Sequence, residues 1–114
     1  MRWEQQVQFA SQTDIGLRRK NNEDAVAARV CADESEFRSR GHLFVIADGM
    51  GGHAVGELAS KIAVETVPHT FFKLPEENPG VLLERAILAA NDAIHRRGSE
   101  NRDFLRMGTT CTAL

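Results

Sequence analysis

The sequence predicts an α+β fold in which helices cover a sheet, and three observations carry that expectation. Five apolar residues, Leu43 to Ala47, run without interruption into Asp48. Two later segments, Val55–Val67 and Leu83–Ile94, place apolar residues at helical spacing. The Thr-rich stretch Met107–Leu114 reads as the beginning of a further strand. Three or four strands and two helices with one-sided apolar faces leave surface that needs a second sheet or layer. The 114 residues are therefore expected to be the N-terminal part of a larger domain.

Taken in order, Gln5–Thr13 alternates loosely through Val7, Phe9 and Ser11, which suits a first strand. Asp14 to Asp24 is polar and turn-rich, and Ala25–Val30 is a short second strand. Cys31–Gly41 is charged and reads as a solvated connection. His42–Asp48 is the central strand, expected to be buried on both faces because its apolar run is continuous. It is expected to stop at the glycines 49, 51, 52 and 56, which favour a turn and close backbone approach. Asp48 then sits where a buried strand opens into a loop, and a carboxylate there requires a partner or a metal.

Beyond the glycines, Val55, Leu58, Ala59, Ile62, Ala63 and Val67 form one helical stripe, and Pro68 is expected to end or kink it. Asn78-Pro79 is a helix start, with Asn78 as the cap and Pro79 in the first turn. Leu83, Ala86, Ile87, Ala90 and Ile94 form its stripe. Arg96 and Arg97 complement its last turn, and Gly98 is expected to terminate it.

Composition narrows the function. A 42% hydrophobic content suits a globular core, and a net charge of −2 argues against general nucleic-acid or anionic-membrane binding. No apolar run approaches the roughly 20 residues of a membrane span. Two distant cysteines, Cys31 and Cys111, give no disulfide framework and point to a reducing, cytoplasmic setting.

The candidate site residues are acidic. Glu23, Asp24 and Asp48 carry the oxygen donors that hard divalent cations take, and Gly49 can turn its carbonyl toward the same ion. Taken singly, Asp-Gly is also a common turn, and Glu23-Asp24 also reads as a solvated pair or strand cap. Arg18, Arg19 and Lys20 are either a solvated triplet or a phosphate contact, to which an arginine fork is suited. His53 is a proton donor, a phosphate contact or a loop-stabilising hydrogen-bonder. Other chemistries do not fit. The glycine run lacks the Gly-Lys-Ser/Thr ending of a P-loop, and there is no Gly-x-Ser-x-Gly elbow or His-Glu-x-x-His pair. Cys31 and Arg38 stand one residue too far apart for a cysteine-phosphatase loop.

The three segments SQTDIGLRRKNNEDA, LFVIADGMGGHAVGELAS and MGTTCTAL, in this order, resemble the metal-dependent serine/threonine phosphatases of the PP2C (PPM) family. The bacterial branch, with its Asp-Gly-Met-Gly-Gly-His, is the most similar. The resemblance spans about residue 9 to the end. It implies a four-layer αββα sandwich of two antiparallel sheets with flanking helices, of which this chain is the N-terminal part. It also implies two Mn²⁺ or Mg²⁺ ions, bridged by Asp48 and completed by the Gly49 carbonyl. Glu23 and Asp24 would act through metal-bound waters. Arg19 would hold the substrate phosphate, while Asp14, Gly16 and Met107–Thr110 shape the site. The implied reaction is in-line attack of an activated water on phosphoserine or phosphothreonine, without a covalent phosphoenzyme.

Some relatives have a histidine directly after the Asp-Gly pair as proton donor. Here that position is Met50, which leaves His53 or a metal-bound water. The family's other metal-binding aspartates lie downstream of Leu114, so the isolated chain carries half a metal site and is expected to be inactive. The implied partners are phosphorylated proteins and a cognate serine/threonine kinase, with no nucleic acid, no membrane span and a monomeric state. Rival readings are a non-catalytic phosphoprotein-binding or regulatory module of the same fold, a stress-type regulator phosphatase, and a nucleotide-binding protein.

Overall fold

The structure is a computed structural model that describes residues 7–14, 16–17, 22–51, 55–75, 78–101 and 106–114. Strand β1 (Asp24–Arg29) pairs antiparallel with β2 (Leu43–Met50), and the short helix α1 (Glu34–Arg40) connects them. After β2 come α2 (Val55–Lys73) and α3 (Pro79–Glu100). Two short strands, β3 (Gly108–Thr109) and β4 (Thr112–Ala113), then line the other edge of β2 in one continuous antiparallel register. The described residues thus contain one antiparallel sheet with β2 at its centre. Helix α2 packs on the sheet, and α3 packs on α2.

Strand β2 is buried on one face only. Leu43, Val45, Ala47 and Gly49 are buried, while Phe44, Ile46, Asp48 and Met50 alternate with them on a more open face. Ile46 is 62% exposed in these 114 residues, on the face that the second sheet of the expected sandwich would cover. The strand also continues through Gly49 and Met50, because these residues pair with Thr109 and Gly108. Cross-strand hydrogen bonds outweigh the weak strand propensity of glycine.

The core joins Leu43 and Val45 of β2 to Val67 and Phe71 of α2 and to Leu82, Ala86 and Ala90 of α3. On α3 the expected Ala86 and Ala90 are buried, together with Leu82, which the expected stripe left out. Leu82 is fully buried, Leu83 is half-buried and Ile87 is 39% exposed. Helix α2 runs through Pro68 to Lys73 instead of stopping there. A proline inside a helix costs about 3 kcal/mol or more. Pro68 is itself buried, and burial of a side chain such as Phe71 returns about 1.5–3 kcal/mol. Helix α3 starts as expected, with the Asn78 side chain accepting from the Gly80 N–H at 2.8 Å and Pro79 in the first turn. It passes Gly98 and ends at Glu100.

Two other segments differ from expectation. The connection Cys31–Gly41 contains α1, capped by Asp33, whose carboxylate accepts from the Ser35 N–H at 2.7 Å. Glu34 and Arg38 pair one turn apart at 2.6 Å. The guanidinium of Arg40 then donates to the carbonyls of Phe71 and Leu74, at 2.7 and 2.5 Å. It satisfies the otherwise open C-terminal end of α2, where a cation is favoured. The N-terminal segment, over its described residues 7–14, is not a strand. Its Phe9 ring packs edge-on against Phe44 at 5.5 Å.

Leu82→Ala is expected to destabilise the full-length protein by about 2–5 kcal/mol, since it opens a cavity in the core that α3 shares with α2 and β2. Arg40→Met should cost about 1.5–3 kcal/mol through its lost charge-assisted bonds. Urea denaturation of each variant checks both values.

Candidate functional site

The site is built where β1 begins and β2 approaches its end. The Gly49 N–H donates to the Glu23 carbonyl at 2.9 Å, and Asp24 stands directly opposite Asp48. Since Glu23 and Gly49 form the hydrogen-bonded pair, Asp24 and Asp48 form the intervening non-bonded pair. In such pairs the Cα atoms approach to about 4.5 Å and the side chains are closest. Both carboxylates project from the open face of the sheet and are exposed. Like charges in facing positions repel, and no ion pair engages either carboxylate among the described residues.

Strand alternation divides the predicted ligands between two faces. Asp24 and Asp48 lie on the open side. Glu23 lies on the helix side, where its carboxyl carbon comes within 2.9 Å of the place a Gly56 Cβ would occupy. Among the described residues, no group of three or more His, Cys, Asp or Glu side chains converges tightly enough to hold a metal. The donor set of Asp24 and Asp48 suits a hard divalent cation in kind, since it is oxygen-only and anionic. It falls short in number. Arg19 and His53 lie outside the described residues, as do Arg18 and Lys20.

The backbone beneath the pair is held from both sides. The Thr110 N–H donates to the Asp48 carbonyl at 2.9 Å, while the Asp48 N–H donates to the Thr110 hydroxyl at 3.1 Å. That hydroxyl replaces a backbone carbonyl in the ladder, which is why β3 and β4 are separated at residues 110–111. On the helix side, the first turn of α2 crosses β2 at Gly49. A Cβ added to Gly49 would meet the Gly56 carbonyl oxygen at 1.8 Å. The glycine requirement at Gly49 is thus a packing requirement, imposed by backbone against backbone.

A cleft of about 500 Å³ opens over the pair, lined by Ser11, Thr13, Asp14, Asp24, Ile46 and Asp48 among others. Its wall is the N-terminal segment. Asp14 accepts from the Gly16 N–H at 2.7 Å in a local turn. The Asn22 amide donates to the Thr13 hydroxyl at 2.8 Å and accepts from the Asp24 N–H at 3.1 Å. Neither Asn22 nor Thr13 stood out in the sequence. An Asn two residues before an acidic strand start is the available signal for such a turn.

Neither cysteine offers a nucleophile. Burial pushes the Cys31 thiol up, with the nearby Glu36 adding to it, and burial also raises the Cys111 thiol. Cysteine chemistry at phosphorus needs the opposite, a stabilised thiolate.

The model for protein phosphatase 2C matches residues 18–114. The serine/threonine protein phosphatase PstP of Mycobacterium tuberculosis is 37% identical over 112 residues, covering 95% of this chain and 19% of the relative. The protein phosphatase PhpP of Streptococcus pneumoniae is 30% identical over 105 residues, covering 90% of this chain and 40% of the relative. The chain thus spans between about a fifth and two fifths of the length of these curated relatives. Among solved structures, the PstP catalytic domain in complex with two manganese ions superposes with a TM-score of 0.74 at 38% identity. It is matched over 91% of this chain and 40% of that one. A crystal structure of M. tuberculosis PstP gives a TM-score of 0.71 over the same shares.

Gly49→Ala is expected to cost on the order of 3 kcal/mol, because two backbones must separate. Gly108→Ala, whose Cβ would meet only the flexible Met50 side chain, at 3.4 Å from Cγ and 3.7 Å from Sδ, should stay within about 1 kcal/mol. Thermal unfolding of the two variants side by side tests the difference.

Proposed function

The chain belongs to the protein phosphatase 2C family, and on that footing we propose that the full-length protein is a Mn²⁺- or Mg²⁺-dependent protein serine/threonine phosphatase. The observation that carries this reading is the facing pair Asp24–Asp48, on the open face of the sheet and over a cleft. Two carboxylates in the closest cross-strand position, with no cation from the described residues, favour a hard metal ion between or beside them. In this reading Asp48 and the Gly49 carbonyl hold the ions. Asp24 and Glu23 act through waters, with Glu23 reaching around from the helix side. Bound there, two such ions supply positive charge against the phosphoryl oxygens and acidify the attacking water.

The chain's own residues do the rest. Thr110 fixes the Asp48 backbone from one edge and the Gly49–Gly56 crossing supports it from below, so the carboxylate is pre-placed. Asp24 accepts a hydrogen bond from the attacking water and aligns it. Arg19 receives the substrate phosphate through its planar fork. As the water oxygen bonds to phosphorus, the bond from phosphorus to the serine or threonine oxygen breaks on the opposite side. The leaving oxygen takes a proton, and with Met50 in the position after Asp-Gly, His53 is the candidate donor within this chain.

Residues 1–114 are read as the N-terminal part of a single phosphatase domain, which the 40% coverage of the solved catalytic chain supports. The remaining ligands are assigned to the rest of that domain, and the isolated chain is inactive. Phosphoproteins are its substrates and a cognate serine/threonine kinase its counterpart. The protein is read as a cytoplasmic monomer. Among the described residues no helix is long and apolar enough to cross a membrane.

The full-length protein with Mn²⁺ is expected to release phosphate from phosphothreonine peptides. A chelator should abolish the activity, and Asp48→Asn should lower it on the order of 100-fold or more. No release by the wild type, or full activity in Asp48→Asn, overturns the proposal. Peptide binding without turnover would favour a non-catalytic module.

A further inference from the structure

The carboxylates in the cleft belong to three separate pieces of chain, with Asp48 on β2. Asp24 opens β1, and Asp14 stands in the N-terminal segment that forms the cleft wall. Phe9 anchors that segment on Phe44 at 5.5 Å. A second attachment, beside the acidic pair, is made through one side chain. The Asn22 Nδ2 donates to the Thr13 Oγ1 at 2.8 Å, and the Asn22 Oδ1 accepts from the Asp24 N–H at 3.1 Å.

We propose that Asn22 is a positioning residue that clasps the cleft wall to the start of β1 and so sets the distance between Asp24 and the wall carboxylate Asp14. This rests on the metal-phosphatase reading of the same site. The two ends of the amide do different things. Its oxygen closes a turn over residues 22–24 and takes up the Asp24 N–H. Asp24 is the first residue of β1, and the residue before it, Glu23, accepts from the Gly49 N–H across the ladder. Its nitrogen holds Thr13, one residue before Asp14, whose carboxylate is itself fixed by the Gly16 N–H. Only a side chain with a donor and an acceptor on one planar head spans both. Asn22 touches neither a reacting atom nor an ion, and acts through Asp24 and Thr13.

The clasp is tested in the full-length protein by Mn²⁺ calorimetry, steady-state kinetics and amide hydrogen exchange. Asn22→Ala and Thr13→Val are each expected to weaken Mn²⁺ affinity about tenfold, the range seen when outer supports of a metal site are removed. The half-saturating Mn²⁺ concentration should rise in parallel, while the rate at saturating metal changes less. Thr13→Ser keeps the hydroxyl and should restore wild-type affinity. The double variant Asn22→Ala/Thr13→Val should be no worse than Asn22→Ala alone, because Thr13→Val removes only a contact that Asn22→Ala has already broken. Exchange at the Asp24 amide should quicken in Asn22→Ala.

Unchanged Mn²⁺ affinity in Asn22→Ala, additive effects in the double variant, or Thr13→Ser behaving like Thr13→Val would each overturn the clasp. These outcomes are separate from failure of the phosphatase reading, which is a wild type that binds Mn²⁺ yet releases no phosphate. In that case metal affinity and Asp24 exchange still decide the role of Asn22. A wild type that binds no Mn²⁺ removes both.

Discussion

The site depends on a place where two backbones nearly touch. At Gly49 the first turn of α2 lies so close over β2 that the Gly56 carbonyl occupies the space of a side chain. No other residue type fits, and the approach fixes the angle at which α2 leaves the strand. From there α2 covers Leu43, Val45 and Ala47, which buries one face of β2 and leaves the other free. The open face is where Asp48 projects. Close packing below and an exposed carboxylate above are two results of the same crossing.

That division between faces also explains how the acidic residues are shared out. Neighbours along a strand point to opposite sides, so Glu23 and Asp24 cannot both look into the cleft from an extended backbone. Asp24 faces Asp48 across the sheet, whereas Glu23 lies against α2. On the proposed metal-dependent reading, a divalent cation gives the reason for keeping such a repulsive pair. Facing carboxylates are a cost to the fold alone and become an asset once a cation is present.

The helical side is reinforced in ways that leave the cleft untouched. Arg40 reaches from α1 to the last carbonyls of α2, joining a connection on one side of the sheet to the far end of the covering helix. Pro68 remains inside α2 because the helix is held by the core at Val67 and Phe71. Tertiary burial there outweighs a local preference that in isolation would break the helix.

How much of this was legible in the residues varies by element. Asn78-Pro79 announced the start of α3, because a cap and a proline at the first turn act within one turn of chain. The motif around Asp48 announced the family, and β1 and β2 were visible as apolar runs. Helix α1 was missed although Asp33, Glu34 and Arg38 carry its cap and its pair, since a short charged helix buries nothing to mark it. The extent of β2, the burial of Leu82 and the hydrogen bonds of Asn22 to Thr13 and Asp24 were not legible. The sequence by itself determined what acts over a few residues: caps, periodicity, and the acid–glycine pattern that marks the family. Only the tertiary structure decided which face each carboxylate takes, because that follows from pairing Asp24 with Asp48 across 24 residues of chain, a contact that local propensity does not encode.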